Sequence, residues 1–77
     1  MRFCLPEMSK DNEESVISLW YVTEGDIILK GQDLLEVVTD KAAFDVPAPC
    51  SGKIFEIFKK NGEKVKAGEA IAEINSR

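Results

Sequence analysis

Few side chains in the sequence could do chemistry, and the most suggestive of them is Lys41. It is one of ten basic residues and stands between Asp40 and Ala42, with strand-forming residues on both sides. A lysine amine can accept a covalent modification, but free lysine has a pKa of about 10.4 and is almost fully protonated at neutral pH. An exposed lysine in a turn is also common for reasons of solubility alone. The interpretation of Lys41 therefore depends on the pattern around it.

Composition excludes several other kinds of site. The chain has no histidine, so imidazole acid–base catalysis, Cys–His nucleophile pairs and mixed Cys/His zinc sites are ruled out within it. Cys4 and Cys50 are too few for a disulfide scaffold or a four-thiolate metal site. We interpret them as small, partly buried side chains in a reducing compartment, and the sequence leaves a bridge between them open. We expect no metal and no catalytic residues in this domain.

Charge and length narrow the class of protein. Fourteen acidic and ten basic residues give a net charge of −4, whereas nucleic-acid binding needs clustered Lys and Arg. No apolar run approaches the roughly eighteen residues that span a bilayer, and the start has no signal-peptide core. With 77 residues and 44% apolar side chains, we expect one small domain over residues 1–77.

Short apolar runs separated by turn residues predict strands and no convincing helix. An acidic loop over residues 10–14 follows the first run. Many short strands with glycine turns between them are typical of an all-β sandwich or barrel. The predicted strands are Arg2 to Leu5, Ser15 to Val22, Leu34 to Thr39, Ala42 to Val46, Lys53 to Lys59 and Ala70 to Ile74.

An internal repeat relates the two parts of the chain. A shift of 37 residues places Gly25 on Gly62 and Gly31 on Gly68. Apolar positions coincide under the same shift, and this predicts two similar half-barrels that cover each other's apolar faces. The alternative is that glycine-punctuated strands resemble one another generically. The matching apolar pairs are Ile17/Ile54, Ile28/Val65, Leu34/Ile71 and Val37/Ile74.

The segment between the two halves should carry Lys41 at a hairpin tip. Strands are predicted on both sides of Asp40 and Lys41, so these two residues must occupy a tight turn. After the turn, Phe44 and Val46 alternate with Asp45, which places one set inward and the other toward solvent. A lysine at such a tip projects its amine away from the body of the domain.

The spacing around this turn is distinctive. Gly31 precedes Lys41 by ten residues, Gly52 follows it by eleven, and D-K-A forms the turn. This pattern resembles the lipoyl domains of the 2-oxo acid dehydrogenase complexes. The earlier stretch L-W-Y-V-T-E-G-D-I-I-L-K-G is similar to another segment of that family, and the likeness runs from Phe3 to Ile74.

The resemblance implies a flattened β-barrel or sandwich of two four-stranded antiparallel sheets with an internal pseudo-twofold repeat, a barrel-sandwich hybrid. It also implies lipoate joined to the Lys41 amine, an acyl group received from a thiamine-diphosphate 2-oxo acid decarboxylase, and delivery to an acyltransferase site for transfer to coenzyme A. The parent chain would be a dihydrolipoamide acyltransferase. The implied location is the bacterial cytoplasm, or the mitochondrial matrix in a eukaryote.

The same resemblance implies four partners for a domain that is itself monomeric. They are a lipoate ligase or lipoyl transferase, the thiamine-diphosphate component, the acyltransferase domain and dihydrolipoamide dehydrogenase. Neither a nucleic acid nor a membrane is expected. The sequence fits a fragment of a larger acyltransferase and a free-standing carrier equally.

Several residues near Lys41 take roles by resemblance. Asp40, Ala42, Gly31 and Gly52 would form the turn and be recognised during modification. Candidates for partner recognition are Asp45, Glu13 and Glu14, although the acidic loop could equally be solubilising charge. Ala42 favours a pyruvate-type or acetoin-type complex.

Val38 is a departure from the family, which usually has glutamate three residues before the lysine. This change should expose an apolar side chain beside the turn and alter how well Lys41 is recognised. The intact D-K-A turn still predicts modification.

Three other functions compete with this reading. Biotin carrier domains share the fold, but their lysine is typically flanked by methionines, whereas both methionines here lie at Met1 and Met8. The lipoyl-bearing glycine-cleavage carrier is longer, with additional helical structure. An unmodified β-barrel interaction module would leave Lys41 without a cofactor.

Overall fold

Eight strands make up the structure, a computed structural model that describes residues 1–6 and 14–76. None of these residues is helical, and the described part of the chain accordingly offers no helix that could cross a membrane. The strands are β1 (Arg2–Cys4), β2 (Ser15–Trp20), β3 (Ile27–Ile28), β4 (Asp33–Val38), β5 (Ala43–Pro47), β6 (Gly52–Ile57), β7 (Lys64–Val65) and β8 (Ala70–Ser76).

The strands form two four-stranded antiparallel sheets, which confirms the predicted fold class. Sheet I has the order β1-β8-β6-β3, and sheet II has the order β5-β4-β2-β7. Among the described residues, strand pairing occurs within each sheet and not between them. The two sheets therefore form a flattened sandwich that is not closed into a barrel.

The two halves of the chain interlock through their shortest strands. β3 belongs to the first half but pairs with β6 of the second, and β7 belongs to the second half but pairs with β2 of the first. Each two-residue strand thus completes the sheet built mainly by the other half. The sequence analysis predicted neither strand, because a strand of two residues is too short to show any periodicity.

The pseudo-twofold repeat extends to individual hydrogen bonds. The Gly25 N–H donates to the Ile54 carbonyl at 2.7 Å, and the equivalent Gly62 N–H donates to the Ile17 carbonyl at 2.6 Å. Both glycines have a positive φ, 96° and 89°, in the left-handed region that glycine adopts without steric cost. The turns predicted from the 37-residue shift are therefore the same turn used twice.

The core lies between the sheets and is built from side chains that alternate inward along the strands. Most members of the core occur as repeat pairs, so each half contributes a matching apolar face. Burying one such side chain fully stabilises the fold by about 1.5–3 kcal/mol. The largest fully buried side chains are Ile17, Ile28, Leu34, Leu35, Val37, Val46, Ile54, Val65, Ile71 and Ile74.

The two cysteines differ from their predicted environment. Cys50 is half-buried against the core, but Cys4 is exposed, so the expectation of partial burial is wrong for Cys4. Both are free thiols. The Cys50 Sγ donates to the Met1 Sδ at 3.6 Å, which brings the start of the chain next to the β5–β6 connection.

Candidate functional site: the β4–β5 hairpin

The hairpin formed by β4 and β5 presents Lys41 at its tip, as the sequence predicts. Val38 pairs with Ala43 at the last position of the ladder, which leaves a four-residue connection over residues 39–42. Lys41 and its neighbours Asp40 and Ala42 are all exposed. The hairpin therefore holds the lysine beyond the end of sheet II.

Thr39 organises this connection, although sequence reasoning assigned it no role. Its backbone N–H donates to the Ala42 carbonyl at 2.8 Å. Its hydroxyl oxygen accepts the N–H groups of Lys41 and Ala42, each at 3.2 Å, and lies 3.2 Å from the Ala42 carbonyl. Ser and Thr commonly satisfy turn amides in this way, so a threonine two residues before the lysine was a usable signal.

Asp45 lies on the outer face of sheet II, two residues beyond the start of β5, and is bound by Tyr21. The Tyr21 hydroxyl donates to the Asp45 Oδ1 at 2.7 Å. This hydrogen bond, with smaller effects of partial desolvation and of nearby carboxylates, raises the pKa of Tyr21 from 10.0 to about 12. Asp45 thus has a structural partner, and its proposed role in recognition stays a prediction.

The acidic loop is described only at its last residue. Glu13 lies outside the described residues. Glu14 immediately precedes β2, and its Oε1 lies 4.0 Å from the Nζ of Lys64. Because β2 begins opposite the end of β4, Glu14 is at the same end of sheet II as Lys41. Its role in partner recognition stays a prediction, and an exposed ion pair of this length contributes little to stability.

Gly31 and Gly52 lie at the other end of the hairpin from Lys41. Gly31 precedes β4, whose six residues at about 3.4 Å each separate it from the turn by about 20 Å. Gly52 is beside it, because the Lys30 N–H donates to the Ser51 hydroxyl at 3.0 Å. Neither glycine reaches Lys41, so a role for them in recognition during modification stays a prediction that could act only through the fold.

Gly52 is the first residue of β6, so its assignment to a turn is wrong. It lies between β3 and β8, paired with Ile28 and Ser76. A Cβ at this position would come within 2.9 Å of the Ser76 Cα and even closer to the Asn75 carbonyl oxygen. The glycine is required by close packing of strands, whereas Gly31 has a φ of 89° and does lie in a turn.

Val38 exposes an apolar side chain beside the turn, as predicted. Its exposed fraction is 37%, and its cross-strand neighbour on β2, Val16, is 36% exposed. β4 thus ends on this apolar residue, directly before Thr39, where the resemblance would place a glutamate. The surface adjoining the lysine is therefore partly apolar.

No alternative centre competes with this hairpin in the described part of the chain. Within residues 1–6 and 14–76, no group of three or more Cys, Asp or Glu is placed to hold a metal ion. A shallow cleft lies between the ends of β2 and β6, where the Trp20 Nε1–H donates to the Lys59 carbonyl at 2.7 Å. It is lined by residues on both sides of the pseudo-twofold axis and does not include the hairpin.

Comparison with known families decides what kind of domain this is. The family described as "Biotin-requiring enzyme" matches residues 2–74, nearly the whole chain. The chain belongs to this biotin–lipoyl family. The match includes strands of both sheets and the Lys41 hairpin.

Two relatives illustrate where such a domain occurs. The chain is 39% identical over 75 residues to the dihydrolipoyllysine-residue succinyltransferase component of the 2-oxoglutarate dehydrogenase complex of Rickettsia felis, covering 97% of this chain and 19% of that protein. It is 33% identical over 72 residues to the lipoamide acyltransferase component of the branched-chain alpha-keto acid dehydrogenase complex of Bacillus subtilis, covering 94% and 17%. This chain spans about a fifth of the length of these relatives.

Solved structures agree on the fold. The lipoyl domain of the 2-oxoglutarate dehydrogenase complex from Azotobacter vinelandii superimposes with a TM-score of 0.78 at 22% identity, covering 99% of this chain and 96% of that one. The urea carboxylase of Kluyveromyces lactis contains a similar region, with a TM-score of 0.64 and 27% identity over 97% of this chain and 7% of that one.

The expectation drawn from Ala42 is not supported. Ala42 favoured a pyruvate-type or acetoin-type complex, but the relatives reported above belong to 2-oxoglutarate and branched-chain complexes. A single small residue after the lysine carries too little information to select the complex.

Proposed function

We propose that this domain is a lipoyl carrier and that Lys41 is the residue that is lipoylated. One observation carries the proposal: in a member of the biotin–lipoyl family, a lysine within a D-K-A turn is exposed at the tip of a β-hairpin. The lipoyl-lysine acyltransferases among its relatives favour lipoate over biotin as the attached group.

The residues of the hairpin fit a covalently attached arm. An exposed lysine can enter the site of a modifying ligase, which must supply an activated lipoyl donor and remove a proton from the amine. Amide formation then deletes the positive charge of Lys41. When bound, lipoate supplies a strained dithiolane that can accept an acyl group together with two electrons.

The protein's own contribution is presentation. The Thr39 hydrogen bonds fix the backbone at the base of the arm, because the hydroxyl accepts the N–H groups of Lys41 and Ala42. Tethering makes successive encounters intramolecular, with effective concentrations that reach the millimolar range. The domain acts as a carrier, and the catalytic groups belong to its partners.

We propose that these partners are the components of a 2-oxo acid dehydrogenase complex. The components comprise a thiamine-diphosphate decarboxylase, an acyltransferase acting with coenzyme A, and dihydrolipoamide dehydrogenase. A lipoate ligase or lipoyl transferase, outside the complex, would attach the lipoyl group. A 2-oxoglutarate-type complex is favoured by the succinyltransferase relatives. The two free thiols suit a reducing compartment, the bacterial cytoplasm or the mitochondrial matrix.

Biotin is the second candidate group, because the family includes biotin-requiring enzymes and the urea carboxylase has a similar region. Intact mass distinguishes the two groups. The domain is co-expressed separately with a lipoate ligase and with a biotin ligase. The proposal expects one lipoyl increment with the first enzyme and little or none of the biotinyl increment with the second.

The assignment of Lys41 is tested by Lys41→Arg. We expect the lipoyl mass increment to disappear and the free energy of unfolding in urea to stay unchanged, because Lys41 is exposed. Lys60→Arg, another exposed lysine in a turn, is the matched control and should be modified like the wild type. A lipoyl increment that persists in Lys41→Arg contradicts the assignment.

A further inference from the structure

A row of small apolar side chains crosses the outer face of sheet II next to the lysine. Ala43, Val38 and Val16 are direct cross-strand partners on β5, β4 and β2, and we name them the valine strip. Val38 and Val16 point outward because their neighbours Val37 and Ile17 are fully buried. The strip ends at Lys64 on β7, which pairs with Val16.

The fold does not require this strip to be apolar. The pseudo-twofold repeat places Asn75 at the position of Val38 and Lys53 at the position of Val16, and these two residues are cross-strand partners in sheet I. The same place in the other sheet is therefore polar and charged. Packing of the sandwich cannot account for two valines on the outer face of sheet II.

The strip begins where the arm is attached. Val38 directly precedes the turn of residues 39–42, and Ala43 directly follows it. The row from β5 to β2 covers two strand spacings, about 10 Å. A lysine side chain extended by a lipoyl chain is longer than this row. The attached group can therefore lie along the strip without any change in the hairpin.

We propose that the valine strip is a resting site for the lipoyl group carried by Lys41. This inference rests on the proposed function. Amide formation makes the arm neutral and largely apolar, and contact with Ala43, Val38 and Val16 removes part of its surface from water. Because the arm is tethered beside the strip, even a weak intrinsic affinity gives substantial occupancy.

A resting arm is in equilibrium with an extended one. If the strip is occupied for half to two thirds of the time, the extended fraction falls about two- to threefold. The strip would thus shield the dithiolane between encounters, and a partner enzyme would have to draw the arm off it. The equivalent pair in sheet I, Asn75 and Lys53, is polar and charged and forms no apolar strip.

The first experiment compares backbone amide chemical shifts of the apo and lipoylated domain, after intact mass has verified complete modification. We expect shifts at Val16, Val38 and Ala43 in addition to the turn. Val38→Glu should abolish the shift at Val16. Val16→Lys, which copies Lys53, should independently weaken the shifts at Val38 and Ala43. Asn75→Glu, at the equivalent position of sheet I, is the matched control and should leave the shifts intact.

A second readout is the rate at which a soluble phosphine reduces the dithiolane. We expect reduction to be about two- to threefold faster in lipoylated Val38→Glu than in the lipoylated wild type and Asn75→Glu. A fully lipoylated wild type with amide shifts confined to residues 39–42, or equal reduction rates in all variants, overturns the resting site. A domain that the ligase never modifies overturns the proposed function itself, which intact mass reports separately.

Discussion

The two halves of the domain have the same backbone fold but carry different side chains on their outer faces. Tyr21 and Phe58 are equivalent in the repeat, as are Asp45 and Arg2, which occupy matching positions on β5 and β1. On sheet II the Tyr21 hydroxyl donates to Asp45 at 2.7 Å, whereas on sheet I the Arg2 guanidinium lies 6.0 Å from the centre of the Phe58 ring. An aromatic side chain covers the same outer surface in both sheets, with an acid as its partner in one and a base in the other.

This contrast separates what the sandwich needs from what the hairpin needs. The interior is nearly the same in both halves, because each half must present an apolar face that fits the other. The exterior is free to differ, and it differs most around Lys41, where Val38 and Asp45 replace the polar Asn75 and the basic Arg2. Function is expected to follow the differences and stability the similarities.

Substitutions in the core should have the largest effect on the free energy of unfolding, and equivalent substitutions in the two halves should have equal effects. Ile17→Ala and Ile54→Ala remove equivalent, fully buried side chains, and each should lower the free energy of unfolding by about 2–5 kcal/mol. Urea denaturation measures both. Ile27→Ala, at a 57% exposed position on β3, is the control and should change it by no more than about 0.5 kcal/mol. A large gap between the two core variants would show that the halves are not energetically equivalent.

Gly52 and Ser15 occupy equivalent positions in the repeat, but only Gly52 lacks room for a Cβ. Enlarging Gly52 should therefore cost more stability than shrinking Ser15. Gly52→Ala should cost about 1–3 kcal/mol, because the new Cβ collides with the backbone of Asn75 and Ser76. Ser15→Gly should cost about 0.5–1 kcal/mol, mainly through backbone entropy. If urea denaturation shows Gly52→Ala to be the milder change, the packing argument for Gly52 fails.

Thr39→Val tests the turn that carries Lys41. The variant keeps the shape of the side chain but removes the hydroxyl that accepts two N–H groups. We expect a loss of about 0.5–1.5 kcal/mol in urea and slower lipoylation in a time course followed by intact mass. Thr23→Val, in a turn without Lys41, serves as the control. An unchanged modification rate in Thr39→Val would remove Thr39 from the site.

The smallest effect concerns Tyr21, which is the one tyrosine of the chain and can be titrated alone by ultraviolet absorbance. Its pKa is about 12 in the folded domain, and Asp45→Asn should bring the midpoint back toward 10.0. Because the folded pKa is raised, the stabilising contribution is present below pH 10 and is lost as pH rises toward 12. Tyr21→Phe, which copies Phe58, should flatten that part of the stability profile. A wild-type midpoint near 10.0 would refute the hydrogen bond.

The sequence predicted the strands that carry a long apolar pattern and the hairpin that carries the lysine. The 37-residue repeat also fixed which strands are equivalent, since β2 matches β6 and β4 matches β8. Predicted boundaries differ from the observed strands by up to two residues. Such errors are expected because strand ends depend on pairing partners that lie far away in the sequence.

The features that the sequence did not predict depend on contacts between residues far apart in the chain. β3 and β7 exist because each pairs with a strand of the other half. Gly52 looked like a turn glycine, yet its role is set by the approach of β8. The Tyr21–Asp45 hydrogen bond joins residues 24 positions apart, so neither residue signals it alone. These features arise only when the two halves are assembled.

Both ends of the described chain lie at the pole opposite the lysine. The Met1 thioether contacts Cys50, and Ser76 pairs with Gly52, which is at the far end of the hairpin from Lys41. The longest dimension of the domain is 34 Å. A polypeptide joined at either end would therefore hold the amine on the opposite side of the domain from the junction. Rotation about such a junction would sweep Lys41 over a wide arc, adding the height of the domain to the reach of the arm.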